Sequence, residues 1–195
     1  MPLHRHLPDR VRSRTSTLAL ATVAALFAAS PVVRAQDPGA AQRVARLRAL
    51  MTPVAPLAGQ WAGDARIVTG PGAALLVRQH EDVVLGASGT VLLIRGTGRT
   101  TEPSARDSVV FEAAGIIWAD AQAGKLRMRA YREGNEIEAD LAVRADTLEW
   151  GFAVPGGRVR YVIAFGNDTW HEVGHFLRDG APPYQVIEMR LQRKR

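Results

Sequence analysis

Residues 158–177 read RVRYVIAFGNDTWHEVGHFL, and this stretch decides the fold class. Apolar or aromatic side chains alternate with other residues on both sides of Gly166-Asn167-Asp168, a tripeptide typical of turns. Such alternation of β-branched and aromatic residues is typical of β-strands. A helix over the second half would carry Gly174 in its interior, which costs about 1 kcal/mol. The stretch therefore predicts a β-hairpin.

The same stretch contains His171-Glu172-Val173-Gly174-His175, which matches the H-E-x-x-H pattern of zinc metallopeptidases. On a helix the two histidine Cα atoms would lie ~6 Å apart, at ~1.5 Å per residue. On a strand they would lie ~13 Å apart, at ~3.3 Å per residue, too far for two ligands at ~2 Å from one zinc ion. The strand interpretation predicts no metal, and a zinc hydrolase with Glu172 as base is the alternative.

From Leu57 to the end of the chain, short strand-like segments are separated by Gly, Asn and Asp. Their regular spacing predicts an antiparallel meander. Because so many strands in one sheet would leave exposed edges, we expect a closed or nearly closed up-and-down barrel of about ten strands, an all-β fold. The predicted strands are 58–68, 74–85, 90–98, 108–119, 125–133, 136–145, 147–154, 158–166, 169–178 and 184–193.

One predicted hairpin allows a test of register. If Gly134-Asn135 is a two-residue turn, Arg129 faces Asp140 on a polar, largely charge-matched side, and the other side is apolar. This agreement predicts a solvent-facing exterior and an apolar interior. The turn also places Glu133 opposite Glu136, which is a mild misfit.

Residues 36–56 are predicted to form a short helix and linker before a barrel domain at 57–195. Apolar residues recur at helical spacing up to Met51, and Pro53 and Pro56 end the pattern. We interpret the segment as a lid or plug that packs on the domain, in preference to a membrane-binding helix.

Residues 1–35 have the pattern of a secretory signal peptide. A basic stretch precedes an apolar segment from Leu18 to Ala29, and Val33-Arg34-Ala35 offers small residues for cleavage before Gln36. The alternative reading is a membrane anchor, but the segment is short for a bilayer. We expect a periplasmic or secreted protein with no stable membrane insertion after removal of the leader.

Charge and cysteine content limit the function classes. The chain has 25 Lys and Arg against 19 Asp and Glu, but residues 36–195 hold 20 against 18. The basic character therefore belongs largely to the leader and gives no indication of nucleic-acid binding. The chain has no cysteine, so a hydrophobic core rather than disulfides must hold an exported domain.

The segment Leu57-Ala58-Gly59-Gln60-Trp61-Ala62-Gly63 resembles the first strand of lipocalin-like (calycin) barrels, which carry G-x-W after a short helix. Residues 50–193 resemble exported bacterial lipocalin-like domains of unknown function, whose late strands look like 168–172 and 188–191. The resemblance implies that Trp61 closes the barrel base, with Arg190 or Arg193 stacked on it. The disulfide and C-terminal helix of many lipocalins are missing.

The strand count is also similar to that of nitrobindin-type haem barrels. No histidine follows His175 in the final strand. We therefore expect no haem and no other cofactor.

A barrel of this size can enclose a pocket, so we expect a small apolar ligand inside it. The opposing interpretation is that the inward side chains merely fill the core. A third hypothesis is a non-catalytic envelope protein that acts through partner contacts and shows an exposed apolar patch. No catalytic residues are predicted, because no nucleophile or acid–base arrangement has supporting context. The predicted ligand-binding residues are Met128, Leu141, Trp150, Phe152, Tyr161 and Trp170, with Ala130 beside them.

Overall fold

A computed structural model describes residues 38–105 and 107–195, and the predicted signal peptide lies outside these ranges. The described chain forms a closed antiparallel barrel in which every strand pairs with its sequence neighbours and the first strand also pairs with the last. The expected all-β barrel is confirmed. The strands are β1 Gly59–Gly70, β2 Ala73–Gly86, β3 Val91–Thr100, β4 Val109–Asp120, β5 Lys125–Arg132, β6 Asn135–Arg144, β7 Thr147–Val154, β8 Gly157–Gly166, β9 Thr169–Leu177 and β10 Tyr184–Arg193.

The hairpin predicted from residues 158–177 is present as β8 and β9. Asn167 and Asp168 form its turn with φ of 50° and 61°, and Phe165 pairs with Trp170 across it. Two consecutive residues with positive φ give a tight turn whose twist matches that of the strands. Because side chains alternate along a strand, Trp170 and Glu172 are buried while His171 lies on the outer side.

The β5–β6 hairpin corrects the predicted register. The central turn residues are Glu133 and Gly134, with φ of 51° and 77°, rather than 134–135. Arg129 is therefore opposite Glu138, to which its Nε donates a hydrogen bond of 3.1 Å, and not opposite Asp140. The shift of two residues keeps every side chain on its predicted face. It also removes the clash of two glutamates, since neither is now paired with the other.

A helix and a short 3-10 segment close one end of the barrel. Helix α1, Pro38–Met51, is followed by 3-10 residues Thr52–Leu57. Arg48 donates two hydrogen bonds, of 2.9 and 2.7 Å, to the carbonyl of Ser88 in the β2–β3 connection. The expected plug is thus seen against the domain, and its apolar residues join the core: Met51, Val54 and Leu57 are at most 1% exposed. Within the described residues, no helix is long and apolar enough to span a membrane.

The base of the barrel is built on Trp61. Its Nε1 donates to the carbonyl of Leu57 at 2.8 Å, and its ring meets that of Trp170 edge-on at 5.7 Å. The guanidinium over the Trp61 ring belongs to Arg193, at 4.1 Å. Arg190, the first of the two arginines named from the resemblance, has an exposed side chain that bonds to Glu188 instead. The reason is strand alternation, because Arg193 shares its side with buried Met189 and Leu191.

Candidate functional site

The barrel encloses a cavity of about 320 Å³. It begins above Leu57 in the closing segment and extends to Arg132 and Asn135 beside the β5–β6 turn, where both side chains are exposed. A cavity of this size, lined mainly by apolar side chains, falls within the range of small-molecule sites. The interior of the barrel is thus only partly filled by its own side chains.

An aromatic wall forms one side of the cavity. Trp150 stacks on Tyr161 at 4.4 Å with the rings 11° from parallel, and on Phe152 at 5.9 Å. All three side chains line the cavity. Gly174 lies opposite Tyr161, and a Cβ there would stand 2.8 Å from the tyrosine Cε1, so glycine makes room for the ring. The buried Nε1 of Trp150 has no hydrogen-bond partner among the described residues.

Polar side chains from β2 enter the same cavity. Gln79 is 2% exposed and Glu81 is 7% exposed, and the Gln79 amide donates to Glu81 Oε1 at 2.7 Å. The second polar atom of the amide, Gln79 Oε1, is buried without a partner in the described chain. Unpaired buried polar atoms are uncommon in folded proteins and call for an explanation.

Two glycines in β3 create the space for these side chains. Gly96 is paired with Glu81 and Gly98 with Gln79. A Cβ on Gly96 would stand 2.6 Å from Glu81 Oε1, and one on Gly98 would stand 2.7 Å from Gln79 Oε1. These distances are shorter than a normal van der Waals contact, so β3 has no room for a side chain at positions 96 and 98.

A second buried carboxyl comes from β9. Glu172 lies beside Trp170, whose Nε1 donates to Glu172 Oε2 at 3.3 Å. Burial raises the pKa of Glu172 to about 7. Burial also raises the pKa of Glu81, to about 8, and the negative charge of nearby Glu172 contributes to this second shift. Burial and the same Glu172 charge raise the pKa of Tyr161 to about 12. The three titratable groups therefore share one desolvated space.

The sequence-predicted site residues fall into two groups. Met128, Trp150, Phe152, Tyr161 and Trp170 line the cavity, as does Ala130. Leu141 is 8% exposed in the hydrophobic core but is not part of the cavity wall.

Sequence reasoning missed Gln79 and Glu81 as interior groups, and it considered Glu172 only as the base of a zinc site. The signal for Glu172 was present, because it shares strand parity with Trp170, which was predicted to face inward. For Gln79 and Glu81, the available signal was the glycine pair Gly96 and Gly98 in the next strand, which makes room for side chains from β2.

The H-E-x-x-H residues do not form a metal centre. They lie on strand β9, where His171 and His175 are on the outer side and Glu172 is on the inner side. His171 Nε2 is 3.1 Å from Glu188 Oε1 on the neighbouring strand. In residues 38–105 and 107–195, no group of three or more potential ligands is arranged to hold a metal ion. The zinc-hydrolase alternative therefore lacks the geometry that it needs.

Comparison with known proteins gives a likeness of fold. No family model matches the sequence, and no curated protein matches it significantly. Rv2717c from M. tuberculosis is similar in structure, with a TM-score of 0.56, 13% identity, and coverage of 75% of this chain and 98% of that one. The S-type phycobiliprotein lyase CPES from Guillardia theta has a TM-score of 0.51, 9% identity, and coverage of 72% and 89%.

These solved structures share the fold of this chain, a closed antiparallel barrel. At identities this low, the likeness concerns fold and leaves function to be argued from the site.

Proposed function

We propose that this protein is a non-catalytic binding protein that holds one small, mainly apolar molecule inside the barrel. The observation that carries the proposal is the cavity of about 320 Å³ with its stacked aromatic wall. Flat aromatic side chains offer large apolar contact areas with little loss of conformational entropy on binding. A barrel whose interior were needed only for stability would be expected to pack without such a space.

The cavity also favours this proposal over the hypothesis that the protein acts only through surface contacts with partners. That hypothesis called for an exposed apolar patch in place of an internal cavity. Exposed large apolar residues do occur in the described chain. Val84 and Leu93 are cross-strand partners and Val109 and Val110 are consecutive, but apolar atoms make up much of any protein surface. The exposed large apolar residues are Leu76, Val84, Leu93, Val109, Val110, Tyr131 and Tyr184.

We further propose that binding takes place outside the cytoplasm, in the periplasm or after secretion. The support is the pattern of residues 1–35, with its basic stretch, apolar segment and small residues before Gln36. Detection of the protein in a periplasmic or culture fraction, cleaved near Gln36, would agree with this placement. Recovery of the uncleaved chain in the cytoplasm would contradict it.

Titration with the neutral fluorophore N-phenyl-1-naphthylamine tests the binding proposal. We expect a saturable rise in its emission with one molecule bound per chain. Ala130→Phe places a ring into the cavity and should abolish binding. Ala142→Phe is the matched control, since Ala142 is exposed on the neighbouring strand and its replacement should leave binding unchanged. Absence of saturable binding, or equal binding by both variants that fold, would overturn the proposal.

A further inference from the structure

The interior carboxyls, Glu81 and Glu172, lack a neutralising cation among the described residues. Among the ion pairs of the described chain, none involves Glu81 or Glu172, although both side chains are at most 9% exposed. Among the described residues that line the cavity, the arginine is Arg132; its guanidinium covers the Phe111 ring and bonds to Glu133. An unpaired buried carboxylate is strongly unfavourable, so the site has an unmet need for positive charge or for hydrogen-bond donors.

A third acceptor strengthens this conclusion independently of the carboxyls. Gln79 is 2% exposed, lines the cavity, and has its amide nitrogen engaged by Glu81, which leaves its Oε1 without a donor. Gly96 and Gly98 provide the room in which the Glu81 and Gln79 side chains lie. The wall therefore presents carboxyl and amide oxygens together, and no side-chain donor of the described residues pairs with Gln79 Oε1.

We propose that the ligand is an apolar amine, bound as its ammonium ion, with its nitrogen held by Glu81, Glu172 and the Gln79 carbonyl. The inference rests on the proposed binding function and adds the chemical class of the ligand. An alkylammonium group has three N–H donors, which match the three acceptors, and its single positive charge neutralises one carboxylate while the other carboxyl keeps its proton. Its apolar body would lie along the aromatic wall of Trp150 and Tyr161.

The same geometry discriminates against other head groups. A carboxylate ligand would meet two acidic side chains, and juxtaposed like charges disfavour binding. An alcohol offers one donor and no charge, so it would leave acceptors unpaired at the cavity wall. An amine should therefore bind more tightly than an alcohol or an acid that has the same apolar body.

Competition against N-phenyl-1-naphthylamine tests the inference. The competitors are 4-phenylbutylamine, 4-phenylbutan-1-ol and 4-phenylbutanoate, and a second series on a 2-naphthylethyl body controls for shape. At pH 8.5 the amines are still protonated, since alkylammonium pKa values are about 10.4. We expect each amine to bind at least ~10-fold more tightly than its alcohol, with the acid weakest.

Variants assign the effect to the named residues. Glu81→Gln with Glu172→Gln should lower amine affinity at least ~10-fold and leave alcohol affinity within ~3-fold. If the double variant does not fold, Glu81→Gln and Glu172→Gln are tested separately. Each single variant should lower the amine affinity. Amine preference that persists in folded variants, or alcohol binding as tight as amine binding, would overturn the inference while the fluorophore still binds. Failure of the fluorophore itself would instead remove the proposed function, and the inference with it.

Discussion

Arg193 lies over Trp61 with its guanidinium carbon 4.1 Å from the ring centroid, and this pair joins the last strand to the first at the closed end of the barrel. The same guanidinium donates to the carbonyls of Pro56 at 2.6 Å and Ala58 at 2.5 Å and pairs with Asp168 at 2.9 Å. A Cβ on Gly59 would stand 2.3 Å from Arg193 Nη1. In the G-x-W segment, Gly59 therefore leaves room for the Arg193 guanidinium and Trp61 provides the ring on which it lies.

Arg193→Ala should destabilise the fold more than Arg190→Ala. The first variant loses the cation–π contact and charge-assisted hydrogen bonds, which together are worth about 2 kcal/mol. The second loses an exposed ion pair with Glu188, worth at most about 1 kcal/mol. Urea unfolding of both variants measures the difference, and equal losses would show that the position over Trp61 contributes nothing special.

Gly96→Ala should disturb the cavity without breaking the barrel. The added Cβ would stand 2.6 Å from Glu81 Oε1, so the carboxyl that accepts the Gln79 hydrogen bond has to shift away from residue 96. We expect a loss of stability on the order of 1 kcal/mol and an amine affinity lowered about 10-fold. Gly86→Ala is the control, because its nearest neighbour would be Leu93 Cδ1 at 3.6 Å and its φ is −109°. Unchanged amine binding in Gly96→Ala would argue against a role for Glu81.

Much of the fold could be predicted because apolar and polar residues alternate along most of the strands in the sequence. All ten strands lie within two residues of their predicted bounds. The β5–β6 register could not be fixed in the same way, since a shift of two residues preserves both faces and only the turn decides. There Glu133 adopts φ of 51°, a conformation that the sequence order Gly134-Asn135 did not favour.

The polar part of the site was harder to predict. In β2, Gln79 and Glu81 alternate with Arg78, His80 and Asp82, so both faces of the strand look polar and hydrophobicity does not reveal which one is inside. Burial of such groups goes against the usual trend and follows only from the parity of the neighbouring apolar residues. The aromatic wall was accessible to prediction because large apolar side chains mark the inner face.

The stability of the protein should fall as pH rises between about 5 and 8. Glu81 and Glu172 have folded-state pKa values near 8 and 7, above the usual 4.5, so the folded state binds more protons than the unfolded state in this window. The loss begins above the unfolded pKa and levels off above the folded one. The groups facing the two carboxyls are Gln79, Trp170 and Tyr161, and Tyr161 stays neutral throughout.

Urea unfolding at pH 5, 6, 7 and 8 measures this dependence. Glu81→Gln with Glu172→Gln should flatten it, because amides do not titrate. His80, whose pKa is lowered by burial and nearby cations, remains in both proteins and cancels in the comparison. Parallel curves for wild type and the double variant would show that the buried carboxyls are not protonated in the folded state.

Zinc content should be insensitive to the H-E-x-x-H histidines. His171 and His175 lie on the outer side of β9, so His171→Ala with His175→Ala should leave fluorophore binding unchanged. Mass spectrometry of the purified domain should find far less than one zinc per chain in both proteins. About one zinc per chain in wild type, lost in the double variant, would contradict the strand geometry.

The most direct test is a crystal structure with 4-(4-bromophenyl)butylamine, located by the anomalous signal of bromine. The account predicts one bromine peak inside the barrel beside Trp150, with the amine nitrogen within hydrogen-bond distance of Glu81 or Glu172. A bromine inside with the nitrogen turned toward the rim at Arg132 would retain the binding function and contradict the amine site. Bromine peaks confined to the outer surface would contradict the central claim that the cavity is the binding site.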